Sequence, residues 1–110
     1  SMKCWVNGKL VSEGNVAEMD WTFAEILERC AYGVDILPGD VIGSGTVGTG
    51  CFLELNGTGL LMDKSFTPQW LQDGDEVVME ITGLGKLVNT IKRVDTDFSL
   101  LKSKKAKIEE

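Results

Sequence analysis

Four glycines fall within eight residues, in Gly43-Ser44-Gly45-Thr46-Val47-Gly48-Thr49-Gly50, and no other stretch limits the fold as much. Ordering that much glycine costs backbone entropy, so the stretch is at home neither inside a helix nor inside a strand. It fits a place where the main chain approaches something closely or adopts positive φ. Successive N–H groups beside the Ser44, Thr46 and Thr49 hydroxyls would form a nest for a carboxylate or another anion. A tight structural crossover between strands satisfies the same residues, and from residue types alone both readings stay open. The Gly-Lys-Ser/Thr ending of a phosphate loop is missing, and the glycines do not fit the G-x-G-x-x-G spacing of a dinucleotide fingerprint.

Around this loop the chain reads as mainly β with one helix. Two apolar stretches flank Asn7-Gly8, the strongest two-residue hairpin signal, and predict a hairpin over Cys4 to Val11. Ser12 to Asn15 is a polar connector. Thr22 and Glu25 form a capping box, and Phe23, Ile26, Leu27 and Cys30 recur at helical spacing, giving a helix expected to cover a sheet. It should stop near Tyr32-Gly33, where glycine suits the left-handed position. Cys51 to Leu55 reads as a strand and Asn56 to Pro68 as a loop. Glu76 to Thr82, a turn at Gly83-Leu84-Gly85 and Lys86 to Val94 form a second hairpin, in which Val78 breaks the alternation and implies a half-covered polar face. Phe98 to Leu101 suits a last short strand or a docking segment. Leu37-Pro38-Gly39-Asp40 and Gln72-Asp73-Gly74-Asp75 both lead into β-branched pairs and use the same turn chemistry.

Composition narrows the function. The 110 residues suffice for a single domain or a fragment of one, and residues 102–110 form a Lys/Glu-rich tail. A formal charge of −6 disfavours nonspecific nucleic-acid binding. The chain contains no 18-residue apolar span and no signal-peptide pattern. Three cysteines without CxxC spacing fit reduced thiols, so a cytoplasmic location is expected. Histidine is absent, which removes the commonest metal ligand and the commonest neutral-pH base. Without it Cys51 lacks an activator and reads as a buried packing cysteine. Glu54 stands in Phe52-Leu53-Glu54-Leu55 either on a solvated strand face or in a cleft, and Asp40 and Asp75 read as turn residues. Trp5, Trp21 and Trp70 read as packing anchors. Asn56-Gly57-Thr58 matches a glycosylation pattern that lacks a secretion signal.

Taken in order, Leu37 to Gly50, Phe52 to Leu55 and Trp70 to Ile91 resemble the C-terminal part of the fumarylacetoacetate hydrolase catalytic domain, with likeness running from about Val6 to Val94. The resemblance implies a mixed β-roll or β-sandwich-like domain, usually homodimeric. It also implies a dependence on Mg²⁺, Mn²⁺ or Ca²⁺ and hydrolysis of a carbon–carbon bond in acylpyruvates, fumarylacetoacetate and related 2-keto acids. It places Thr46 on the family's substrate-loop threonine, which contacts the substrate carboxylate, and Gly45 at its close approach. Glu54 falls on the glutamate that steadies the general-base histidine, which this chain lacks. Val47 stands where many members have proline. The family's metal ligands, a Glu-x-Glu pair and a later aspartate, and its substrate-contacting lysine precede this loop. Glu25 and Glu28 have the wrong spacing, Asp35 lacks the context, and Glu76 and Glu80 lack a third ligand. The expectation is therefore a fragment, a split protein or a degenerate stand-alone domain that binds no cofactor alone, with Mg²⁺, Mn²⁺ or Ca²⁺ needed by the complete domain. Its expected partners are a small 2-keto acid and either a second copy or a missing upstream half, with no nucleic acid and no membrane. A non-enzymatic assembly domain and a small-anion module are the other two readings.

Overall fold

The computed structural model describes residues 1–95. The expected segment Phe98 to Leu101 and the 102–110 tail lie outside the described residues. Four strands, β1 (Met2–Val6), β2 (Lys9–Gly14), β3 (Glu76–Ile81) and β4 (Gly85–Thr90), form one antiparallel sheet in the order β2-β1-β3-β4. The ends of the described chain thus meet in one sheet. The long excursion from Asn15 to Asp75 leaves after β2 and returns at β3.

Asn7 (φ 49°) and Gly8 (φ 77°) are both left-handed, as the two-residue hairpin turn between β1 and β2 requires. The hairpin is longer than its turn signal suggested, because Ser12 to Gly14 continue β2 instead of serving as a connector. Cys4 pairs with Ser12 but Trp5 pairs with Leu10, so Val11 is the extra residue of a bulge. Such a bulge lets two successive side chains, Val11 and Ser12, border the same cavity. Trp5, Val78 and Val88 stand in register across three strands, and Val78 is the most buried apolar residue described, at 9% exposure. Its partner Val88 is 52% exposed, so the face is covered at Val78 and open beyond it.

Two turns are built alike. Leu37 N–H donates to Asp40 Oδ2 (2.9 Å) and Gln72 N–H donates to Asp75 Oδ2 (2.7 Å), with Gly39 and Gly74 at positive φ just before each aspartate. The second turn also ties the sheet together. Asn7 Nδ2 donates to Asp75 Oδ1 (2.8 Å) and Glu76 N–H donates to Asn7 Oδ1 (2.9 Å), joining the turn of the first hairpin to the open end of the second. These bonds hold the Asp75 carboxyl below the usual carboxylate range, with the Gln72 backbone bond first and the Asn7 amide second.

The expectation of a mainly β fold with one helix requires correction: the domain is mixed α/β, with two α-helices and a short 3₁₀ turn at Val16–Glu18 among the described residues. Helix α1 (Phe23–Cys30) begins at the expected capping box. Glu25 N–H donates to Thr22 Oγ1 (3.2 Å) and Thr22 N–H donates to Glu25 Oε2 (2.8 Å), which holds the Glu25 carboxyl low. Gly33 follows at φ 76°. None of the residues of α1 is buried, and its expected role of covering the sheet is not seen; among the described residues, extended packing between elements occurs within the sheet.

Helix α2 (Phe52–Met62) occupies the stretch expected to be a strand followed by a loop. A short apolar run does not distinguish helix from strand, and Gly57 and Gly59 lower helix propensity. Tertiary bonds overcome that penalty. Asn56, only 4% exposed, donates from Nδ2 to the Gln69 carbonyl (2.7 Å) and accepts the Gln69 N–H at Oδ1 (2.9 Å). Gly59 leaves room for the Phe66 ring, whose atoms lie 2.7 Å from where a Cβ would stand. The glycosylation-like asparagine is thus a buried clamp. Beneath the sheet, Cys4, Val6, Val77 and Met79 face Phe52, Leu55 and Trp70 across an apolar cavity of about 550 Å³.

Candidate functional site

Thr46 and Gly45 lie in an exposed loop without regular structure, along with Val41 and Ile42 before it. Gly45 adopts φ 95°, a conformation closed to most side chains. The Ser44 and Thr46 hydroxyls form no hydrogen bond with any other described residue and are available to a ligand. The loop borders a cleft of about 420 Å³ that Glu18, Asp20, Trp21, Phe23 and Ile26 also line. Two residues of the helix that does not cover the sheet, Phe23 and Ile26, thus help line the glycine loop's cleft.

Three tethers fix the C-terminal end of the loop. Val47 Cγ1 lies 2.5 Å from where a Cβ on Gly14 would stand, so the end of β2 meets the loop without a side chain between them. Ser12 Oγ, in a residue 8% exposed, lies 3.1 Å from Thr49 Oγ1. Thr49 N–H donates to Glu54 Oε2 (2.9 Å). Thr49 itself is left-handed (φ 66°), an uncommon state for a threonine, and these side-chain bonds hold it there. The turn closes with Gly50 N–H donating to the Val47 carbonyl (2.9 Å), and that carbonyl lies only 2.6 Å from a Cβ position on Gly50.

Glu54 stands in the first turn of α2, so the strand-face alternative is corrected. Its carboxylate bonds the backbone of the loop that carries Thr46, and the structure brings Glu54, Thr49 and the loop together. Cys51 was expected to be a buried packing residue. It is exposed, and its Sγ accepts the Glu54 N–H (3.4 Å) as the N-cap of α2. Cys4 borders the apolar cavity, where burial pushes its thiol pKa up, away from thiolate chemistry. The sequence missed the positioning role of Ser12 and Thr49. The signal available was a serine two residues before the end of an apolar strand, which is a weak one.

Chain comparison places this arrangement in a class. Residues 1–92 match the model of the fumarylacetoacetate (FAA) hydrolase C-terminal family, and the chain belongs to that family. Similar relatives include the mitochondrial oxaloacetate tautomerase of Homo sapiens, 34% identical over 89 residues, covering 80% of this chain and 24% of the relative. The oxaloacetate tautomerase YisK of Bacillus subtilis is 32% identical over 87 residues, covering 78% of this chain and 25% of the relative. The 4-hydroxyphenylacetate degradation bifunctional isomerase/decarboxylase of Salmonella dublin is 31% identical over 94 residues, covering 83% of this chain and 17% of the relative. The chain spans about a quarter of the length of the first curated relatives it matches. No solved structure matches it significantly.

The divalent ion implied by the resemblance finds no ligand set here. Among the described residues, no group of three or more His, Cys, Asp or Glu side chains is placed to hold a metal. What these residues present is a run of backbone N–H groups, two hydroxyls without a hydrogen-bond partner among the described residues, and a loop tethered by Ser12 and Glu54.

Proposed function

We propose that this chain supplies the carboxylate-gripping wall of a metal-dependent hydrolase acting on acylpyruvate-like or fumarylacetoacetate-like 2-keto acids. The observation that carries this reading is the loop itself. Gly45 lets the backbone approach a ligand, Thr46 presents an unengaged hydroxyl, and Glu54 fixes the loop through Thr49. An anion at such a wall is stabilised by oriented N–H dipoles without reorganisation. The residues that would carry bond cleavage belong to an upstream half or to a second copy, and a complete site requires that pairing. Glu54 acts as a positioning residue in this scheme. The three free thiols fit a reducing, cytoplasmic setting.

A second reading is favoured by a different observation. Large apolar side chains such as Val41, Leu61 and Met62 are exposed, as expected of a non-enzymatic assembly domain that packs against another polypeptide. Both readings meet the same experiment: loss of acylpyruvate absorbance with Mg²⁺ or Mn²⁺, for this chain alone and with an upstream family segment added. Turnover only in the mixture is expected. Turnover by the chain alone would overturn the assignment of the missing groups to a partner. Silence in both, with a folded chain, would leave the assembly reading standing.

A further inference from the structure

The two faces of the sheet carry different chemistry. On one, Glu13, Lys3, Glu80 and Lys86 stand in register across all four strands, so charges of alternating sign line up as on a solvated surface. On the other, alternation along β1 and β3 places Met2, Cys4, Val6, Val77, Met79 and Ile81, without one charged residue. Leu87 of β4 pairs with Met79 and continues that face. Phe52 and Leu55 of α2 border the cavity of about 550 Å³ that this uncharged face also lines. Helix α2 is itself apolar on every side. Helix α1 segregates its apolar residues from Glu25, Glu28 and Arg29, whereas α2 spreads Phe52, Leu55, Leu60, Leu61 and Met62 round its axis. At about 3.6 residues per turn Leu61 falls opposite Phe52, and Leu61 is 89% exposed. The one charged residue of α2, Glu54, is tied to the Thr49 N–H. A helix apolar all round belongs inside a core, with apolar partners on both sides.

We infer that the uncharged sheet face and the outer side of α2 seat the polypeptide that precedes this region in the family, making α2 the middle layer of a shared core. The inference deepens the proposed function and rests on its pairing with an upstream half, for which it names the surface. Length and position identify the occupant. Residues 1–92 match the family's C-terminal model, and the chain spans about a quarter of the length of its first relatives. The larger remainder of such a relative is long enough to supply the missing layer. Val78, the only buried apolar side chain among the described residues, lies on the charged face, so the uncharged face closes no core of its own. An apolar seat without charge selects apolar polypeptide, and an ionic ligand gains nothing there.

The test compares the purified chain alone with the chain co-expressed beside the Bacillus subtilis relative from which the matched 87 residues are removed. Amide hydrogen exchange read by mass spectrometry should slow about tenfold along α2 and β3 in the pair. Leu61→Glu should abolish that protection and the co-purification, while Lys86→Gln on the charged face should change neither. In the chain alone, the dye 8-anilinonaphthalene-1-sulfonate should fluoresce on the open apolar face, and Leu61→Glu should cut that signal about twofold without altering exchange in the sheet. This arm decides even where the truncated relative is insoluble: a chain that binds no dye, or binds it regardless of Leu61→Glu, overturns the inference. Protection of α2 in the chain alone, through self-association that Leu61→Glu breaks, would make a second copy the occupant and overturn it too. Association that slows exchange elsewhere would sink the surface and leave the pairing in place. No association between two soluble partners would overturn both. Protection of α2 without acylpyruvate turnover would keep the surface and sink the hydrolase reading.

Discussion

The sheet and the loop-helix half of this domain are held in different ways. In the sheet every strand pairs along its length, and the Asn7–Asp75 bonds and the Lys3–Glu13 ion pair (3.1 Å) add to a ladder that already exists. From Gly43 to Trp70 single side chains do the same work. Asn56 alone clamps Gln69, Glu54 and Ser12 hold Thr49, and Gly59 admits Phe66. Redundant bonding makes a scaffold, whereas single tethers leave the loop dependent on a few side chains. The difference predicts that one substitution in the second half does more harm than a comparable one in the first.

The largest effect is expected from Asn56→Ala. It removes two hydrogen bonds and strands the Gln69 N–H and C=O beside a buried position, a loss of about 3 kcal/mol visible as a lower urea midpoint. Asn7→Ala removes a similar pair of bonds and places a less tolerant residue at φ 49°, yet the ladder remains, so about 1–2 kcal/mol is expected. If Asn7→Ala proves the more damaging of the two, the contrast between the halves fails.

Glu54→Ala sharpens the contrast from the other side. It frees Thr49 from its carboxylate, so pyruvate affinity should fall several-fold while the urea midpoint moves by less than about 1 kcal/mol. Unchanged affinity would mean that Ser12 suffices to hold the loop. The smallest effect concerns acid. The Asp75 carboxyl is held low by the Gln72 backbone and the Asn7 amide, so the folded state favours the charged form. Its contribution is present above the ordinary aspartate value and is lost as pH falls below about 3.9. Comparing Asp75→Asn with the parent chain across pH 5 to 2 should show a difference that shrinks on acidification. A gap that stays constant would place the benefit in packing instead.

How legible each half was follows from the same physics. Asn7-Gly8, the Thr22–Glu25 capping box, the paired Gly-Asp turns and the β3–β4 hairpin are local signals, in which a few adjacent residues settle the backbone. Helix α2 was illegible because its stability comes from Asn56 meeting Gln69 and Gly59 meeting Phe66, partners 13 and 7 positions along the chain. The unburied face of α1 was misjudged for a similar reason. Helical spacing of Phe23, Ile26 and Leu27 shows an apolar face but not what covers it. At the site, Gly45 and Thr46 stood out through glycine density and family likeness. The Ser12–Thr49 and Glu54–Thr49 tethers needed the fold, and Glu54 shifted from a strand face to a helix turn.

The central claim is that residues 43–46 grip a carboxylate while the sheet serves only as scaffold. Amide NMR of the ¹⁵N-labelled chain titrated with pyruvate tests it most directly, repeated on Thr46→Val. The account predicts saturable shifts at Gly43 to Thr46 with little change along β1 to β4, and their loss in Thr46→Val with the rest of the spectrum preserved. Saturable shifts confined to another surface, or a loop that responds equally in Thr46→Val, would contradict it.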